Sequence, residues 1–312
     1  MDSKVLPFQL NMKCWLENNF LTCSLFFHPE TSCTMSKPIY PCIWFNNNAQ
    51  SAADFYCSLF KDAKLLESNP MVTRFSAGGM SFMLLNGGPK YTTTPAVSYF
   101  IYCEGETEID RLYDALKEGG KVLMPLDRYD WSPRYAWVED RFGVNWQLDV
   151  EAINNPQKIV PNLLFVNEKN TRVKDAREKY LSVFKNSIAL MDMPYPPAAG
   201  MPAGALLFAQ FKLNGFIMNT MSSTLQHDYD FSPGNSFVVE CDTQQEIDEL
   251  WEALGKNGRY DMCGWLTDEF GVSWQIVPSI LPQLMSDPEK GPRVIQAFLK
   301  MQKFDIQTLL NA

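Results

Sequence analysis

The side chains best placed to do chemistry stand in two nearly identical decapeptides. Asp140–Asp149 reads DRFGVNWQLD and Asp268–Val277 reads DEFGVSWQIV, with a glutamine at the same place in each. A glutamine amide both donates and accepts hydrogen bonds, which suits orienting a polar ligand. Alone it is a poor anchor for a divalent cation, which needs several convergent N or O ligands. Period-two alternation sets Asn145, Gln147 and Asp149 against Val144, Trp146 and Leu148, and Ser273 and Gln275 against Val272, Trp274 and Ile276. The tryptophans are expected to pack beneath helices and the glutamines to look into a cleft. A second reading stays open, in which each glutamine satisfies backbone groups inside a small barrel.

Around Gln147, Gln275, Asn145 and Ser273, the remaining candidates for a ligand cleft are Trp137 and Trp265 on the preceding strand, Asn86 before Gly87-Gly88, and Phe45 and Phe165. Each has a structural alternative: core packing for the aromatic residues, a turn for Asn86. The two histidines, His28 near the N-terminus and His227 in the polar stretch LQHDYDFSPG, support no Ser-His-Asp or Cys-His pair. No G-x-x-x-x-G-K-[ST] phosphate loop is present. Asp110 and Asp248 fall on helix surfaces and need no catalytic role.

Composition narrows the function further. The net charge of −9 argues against nucleic acid as a partner, because little could neutralise phosphates. No apolar run is long enough to span a bilayer. Eight cysteines without a C-x-x-C pair read as reduced, mostly buried residues of a cytoplasmic protein rather than as zinc ligands. Residues 1–35 lack a clear period and lack the basic flank and cleavage site of a secretory signal, so they read as a leader outside the fold or as a short packed appendage.

A duplication supplies the elements that must position these side chains. EIDRLYDAL (108–116) returns as EIDELWEAL (246–254), PCIWF (41–45) as PNLLF (161–165), ADFYCSLF (53–60) as REKYLSVF (177–184), and FMLLNGG (82–88) as FIMNTMS (216–222). Each half-copy reads strand, amphipathic helix, three strands: Ala52, Phe55, Tyr56, Leu59 and Phe60 share one helix face, as do Ile109, Leu112, Tyr113 and Leu116. Thr107 and Thr243 are placed to cap the second helix of each copy. The expected class is α+β, with helices on one face of a curved sheet and a cleft on the other.

The segments PCIWFNNNAQSAADFYCSLF, FMLLNGG, EIDRLYDALKEGG and DRFGVNWQLD, with CGWLTDEFGVSWQIVP and the tail SDPEKGPRVIQAFLKMQKFDIQTL, resemble the PhnB-like branch of the vicinal-oxygen-chelate superfamily, which includes glyoxalase I, bleomycin-resistance proteins and extradiol dioxygenases. The resemblance implies two tandem glyoxalase-like domains, 36–155 and 156–312, the second with a helical tail. Each would consist of two βαβββ modules whose sheet curls into an open barrel around a cavity. It also implies either a monomer imitating the homodimer of single-copy relatives, or a homodimer. Superfamily enzymes hold a divalent metal through His, Gln or Glu on the first and last strands. The matching first-strand positions fall near Ile39 and Pro41, Ile159 and Pro161, Ala96 or Ser98, and Asn235 or Ser236, leaving only Gln147 and Gln275 as ligands. The cofactor thus stays open, with a metal site disfavoured. Shortening of the hairpin before Phe270 suggests decay of one of the two sites.

The leading functional expectation is a small-molecule-binding protein that lacks the usual metal. The alternatives are a metal-dependent glyoxalase- or dioxygenase-type enzyme with shifted ligands, and a non-catalytic interaction module. A methyltransferase lacks its Gly-rich βαβ signature here.

Overall fold

A computed structural model describes residues 39–151, 153 and 155–312; the leader reading of residues 1–35, with His28, lies outside the described residues. Four βαβββ modules follow one another. The first holds β1 (Ile39–Phe45), α1 (Ala49–Leu59), β2 (Lys64–Ser68), β3 (Val72–Ala77) and β4 (Met80–Asn86). The second holds β5 (Val97–Cys103), α2 (Glu106–Lys117), β6 (Lys121–Tyr129), β7 (Ser132–Glu139) and β8 (Asn145–Val150). The third holds β9 (Ile159–Phe165), α3 (Val173–Val183), β10 (Ser187–Pro194), β11 (Leu206–Leu213) and β12 (Phe216–Ser222). The fourth holds β13 (Asn235–Cys241), α4 (Gln244–Gly255), β14 (Arg259–Tyr260), β15 (Trp265–Thr267) and β16 (Ser273–Pro278). Three short helices, α5 (Leu281–Ser286), α6 (Gly291–Phe298) and α7 (Ile306–Leu310), close the chain.

The α+β class and module order are the expected ones, and the two sheets are curved and open. Their composition is a finding of the structure. One eight-stranded sheet runs β10-β11-β12-β9-β5-β8-β7-β6 and joins the second module to the third. The other runs β14-β15-β16-β13-β1-β4-β3-β2 and joins the fourth to the first. Each sheet therefore takes one module from each copy, through the antiparallel pairs β5–β9 and β1–β13. We call them the inner-module and outer-module sheets. The back faces of both sheets and helices α1–α4 share one continuous apolar core, and each front face is left to form a cleft.

The repeated decapeptide fastens this core. Asp140, 3% exposed, accepts from the Tyr56 hydroxyl at 2.7 Å, the Trp146 indole at 2.8 Å, and the N–H groups of Phe142 and Val144 at 2.8 and 3.0 Å. Asp268 does the same with Tyr180, Trp274, Phe270 and Val272 at 2.7, 3.0, 2.9 and 3.0 Å. The carboxylate thus ties a helix of one module to the closing strand of the next. Gly143 and Gly271 turn the chain at φ +84° and +95°, a conformation that costs a side-chain-bearing residue, so F-G-V recurs for steric reasons. Trp146 and Trp274 lie in the core as the alternation implies.

Two local expectations change. Thr243 caps α4 in a reciprocal capping box with Glu246, but α2 begins at Glu106 after Gly105. Thr107 is therefore already inside the helix, and Glu108 reaches back to accept the Glu104 N–H at 2.9 Å. The match of FMLLNGG to FIMNTMS shifts by two residues: the hairpin turns place Met80 and Phe216 at equivalent positions, opposite Ala77 and Leu213. A two-residue shift keeps every side chain on its face, so hydrophobic pattern alone cannot detect it.

Candidate functional site

The inner-module sheet carries a cavity of about 300 Å³ on its front face, lined from both copies. Gln147 lines it, and beneath the lining a row of fully buried polar side chains crosses the central strands. On β8, Gln147 accepts from the Tyr135 hydroxyl and donates to Ser98 Oγ on β5 at 2.7 Å. Ser98 lies opposite Asn162 of β9, which donates to it at 3.4 Å, and Asn162 lies beside Asn219 of β12. Asn219 accepts from Gln210 at 2.9 Å and donates to the Tyr102 hydroxyl at 3.3 Å. Asn162 is fully buried, and its Oδ1 has no hydrogen-bond partner among the described residues. It shares a strand face with Val160 and Leu164, which line the cavity.

The walls are aromatic and thioether-rich. Phe100 and Tyr102 stack with centroids 5.9 Å apart, and Tyr135 lies 6.4 Å from Phe100. The β6–β7 hairpin brings Tyr129 and Trp131 over Tyr135 at 5.6 and 5.7 Å. Met191, Met193 and Met221 face them from the other copy. Burial pushes the phenols of Tyr102 and Tyr135 up, so both remain neutral hydroxyls.

One buried acid faces this space. Asp149, 6% exposed, accepts from the Ser132 hydroxyl. Burial pushes its carboxyl up to about 7; Ser132 and Val150 oppose the shift and nearby Glu151 adds to it. His227 stands at the rim, its Nε2 2.8 Å from Ser223 Oγ, and burial lowers its pKa.

The outer-module sheet repeats half of this row. Gln275 donates to Ser236 Oγ at 3.0 Å, matching Gln147 and Ser98, but Cys42 and Met83 occupy the places of Asn162 and Asn219. Burial pushes the Cys42 thiol up to about 12, which leaves it unreactive. The covering hairpin shrinks from nine and eight residues in β6 and β7 to two and three in β14 and β15. Trp265 packs edge-on against Trp44 at 6.0 Å, and Tyr91 packs on the same ring at 5.0 Å.

The family model described as 3-demethylubiquinone-9 3-methyltransferase matches residues 37–149 and again 157–277. The chain belongs to this family. It is a tandem PhnB-like protein of the vicinal-oxygen-chelate superfamily. A PhnB protein of Bacillus cereus is 32% identical over 36% of this chain and 98% of its own, with a TM-score of 0.34. The protein PA1353 of Pseudomonas aeruginosa is 26% identical over 35% of this chain and 94% of its own, with a TM-score of 0.31. Glyoxalase I of Zea mays is similar in fold over 78% of this chain and 93% of its own, at 11% identity and a TM-score of 0.51. No curated protein matches.

The superfamily's divalent metal can be tested against this donor set. The first-strand positions facing the clefts are not Ile39 and Ile159, which point into the core, but Tyr40, Cys42, Val160 and Asn162. Strands β1 and β9 are buried on both faces and mostly apolar, so their sequences do not show a clear phase, and a one-residue slip inverts it. With Ser98, Gln147 and Asn219, the inner-module cleft offers one hydroxyl and three amides and no anionic group among these four positions. Among the described residues, no three His, Cys, Asp or Glu side chains converge on a metal position. Neutral amides already bonded to one another do not fit a hard divalent ion.

The remaining sequence candidates divide by sheet face. Gln147 and Trp137 line the cavity. Asn145, on the same strand face as Gln147, is held by the Trp137 indole at 3.3 Å. Gln275, Ser273 and Trp265 belong to the outer-module sheet, where the Ser273 hydroxyl has no partner among the described residues. Three candidates are removed from the clefts. Phe45 and Phe165 lie in the shared core against Phe142 and Phe270, and Asn86 caps α1 by accepting the Ala49 N–H at 3.0 Å. Tyr102, Tyr135 and Trp131 are among the lining residues that sequence patterns did not reveal. In VSYFIYC, Ser98 is the one non-aromatic polar position and both faces are buried, so alternation does not set Tyr102 apart from Tyr99 there.

Proposed function

We propose that this tandem PhnB-like chain binds a small, largely apolar molecule in the inner-module cavity, held by side-chain amides and hydroxyls rather than by a metal ion. The observation that carries this reading is an aromatic cavity lined by Gln147 and backed by the neutral Ser98 and Asn162 beneath it, at the place where the superfamily's ligands would converge. The cavity has the size and the apolar lining with few polar groups typical of small-molecule sites. In this reading the copies 36–155 and 156–312 are the single-chain counterpart of a dimer. The outer-module cleft, with its reduced hairpin, is a decayed second site. Nucleic acid is not a partner, and the protein works in the cytoplasm. Among the described residues, no helix is long and apolar enough to cross a membrane.

The test is metal quantitation, with denaturing mass spectrometry for co-purifying compounds, on protein prepared without metal-chelate chromatography. Substoichiometric metal together with a retained small molecule supports the reading. One tightly held divalent ion per chain, lost with Gln147→Ala, would replace it with a metal-dependent enzyme.

A further inference from the structure

We propose that the ligand of this cavity carries a positive charge: an aromatic or aliphatic amine or quaternary ammonium whose apolar body fills the cavity and whose cationic head lies among the aromatic rings beside Asp149. The inference rests on the binding reading above and adds the charge of the ligand to it.

Three observations converge. First, among the described residues lining the cavity there is no lysine or arginine, while Asp130, Asp149 and Glu151 all face it. An anionic ligand would meet like charge and no counter-ion. Second, the acid end of the cavity is enclosed by Tyr102, Trp131 and Tyr135, with Tyr129 behind Trp131 at 4.9 Å. Electron-rich ring faces attract cations, most strongly once water is excluded. Third, the buried acid that lines the cavity is short of donors: the only described side chain bonded to Asp149 is the Ser132 hydroxyl. A ligand that donates or is cationic completes it.

The groups around Asp149 fix the sign of the pH dependence. From β5 it is faced by Tyr102, from β7 by Tyr135 and Ser132, and from the segment after β8 by Glu151. Behind the sheet Arg134 is committed to Asp110, and Glu108 and Arg111 of α2 lie near Cys103. Among the described lining residues the one basic side chain is His227 at the rim, which acquires charge only on acidification, and Lys158 outside the lining is bonded to the Ile153 carbonyl at 2.7 Å. Protonation of Asp149 near neutrality and charging of His227 below it both weaken cation binding.

The experiment is calorimetric titration of the full chain with three naphthylmethyl probes: (naphthalen-1-ylmethyl)trimethylammonium, its carbon isostere 1-neopentylnaphthalene, and the smaller anion 1-naphthylacetate. The trimethylammonium group does not titrate, so any pH dependence belongs to the protein. At pH 8 the cation is expected to bind at least about tenfold more tightly than the isostere, with the carboxylate weakest. The preference is expected to fall by about tenfold at pH 5.5 and to disappear in Asp149→Asn, which keeps the residue's size. Tyr135→Phe keeps its ring, and the cation preference with it. Equal or tighter binding of the isostere or the carboxylate at pH 8 overturns the inference and leaves the cavity as a binding site. Failure of all three probes to bind overturns the inference and the binding reading together.

Discussion

Replacing Asp140 by asparagine tests whether the repeated decapeptide is a structural fastening. The two N–H bonds, from Phe142 and Val144, fall on Oδ1, and the Tyr56 hydroxyl and Trp146 indole share Oδ2. An asparagine can keep its oxygen on the backbone pair and must then present its NH2 to the ring donors. The tyrosine hydroxyl can rotate and accept. The indole cannot, because it has no acceptor on nitrogen, so its N–H is left buried without a partner in a fully buried ring. Leaving one buried donor unsatisfied costs about 1–3 kcal/mol, and converting a charged acceptor to a neutral one weakens the others. About 3 kcal/mol is expected for Asp140→Asn, and about 3–5 kcal/mol for Asp140→Ala, which orphans four donors at once. Tyr56→Phe removes one bond to the acid and should cost about 1.5–3 kcal/mol. Urea unfolding followed by circular dichroism, with hydrogen exchange of the Trp146 indole N–H by NMR, measures these effects. The order Ala, Asn, Phe in decreasing cost is expected, and Asp268→Asn should match Asp140→Asn. An Asp140→Asn protein within about 0.5 kcal/mol of the parent would refute the assignment, since that is the range of an ordinary surface change.

Three further outcomes follow from the same geometry. Gly143→Ala should destabilise by about 1 kcal/mol in urea unfolding, because its φ of +84° is unfavourable for a residue with a Cβ. Asp149 has a folded-state pKa near 7, above the ordinary value, so the native state binds its proton more tightly; this contribution to stability is full below about pH 4 and is lost as pH rises through 7. Asp149→Asn should flatten that slope and gain a few kcal/mol at pH 8, bounded by about 4 kcal/mol, as read by urea midpoints across pH. Gln147→Ala should weaken ligand binding by roughly tenfold, the loss of about one hydrogen bond to a buried partner, while Gln275→Ala leaves it unchanged in the same titration.

Much of this was legible in the sequence, and the limits have physical causes. The duplicated EIDRLYDAL and EIDELWEAL, and the alternation Asn145–Gln147–Asp149 against Trp146, fixed the helices and the phase of the closing strands, because only one face of each carried polar side chains. Strands β1, β5 and β9 are buried on both faces and carry no alternation, so the metal-equivalent positions came out one residue off, and Tyr102 was indistinguishable from core. Pairing of modules across the copies was equally hidden. All four modules present similar strand edges, and only the assembled chain shows that β5 lies beside β9 rather than β1. The role of Asp140 went unread because its bonds reach Tyr56, far away in sequence.

The central claim is a single working cavity, on the inner-module sheet. It is tested most directly by the stoichiometry of binding of an aromatic probe to the full chain and to two tryptophan substitutions. Ile217→Trp fills the front face of the inner-module sheet, and Val238→Trp fills the front face of the outer-module sheet. With folding checked by circular dichroism, one equivalent of probe per chain is predicted, abolished by Ile217→Trp and retained in Val238→Trp. Two equivalents per chain, or binding that survives Ile217→Trp, would contradict the account.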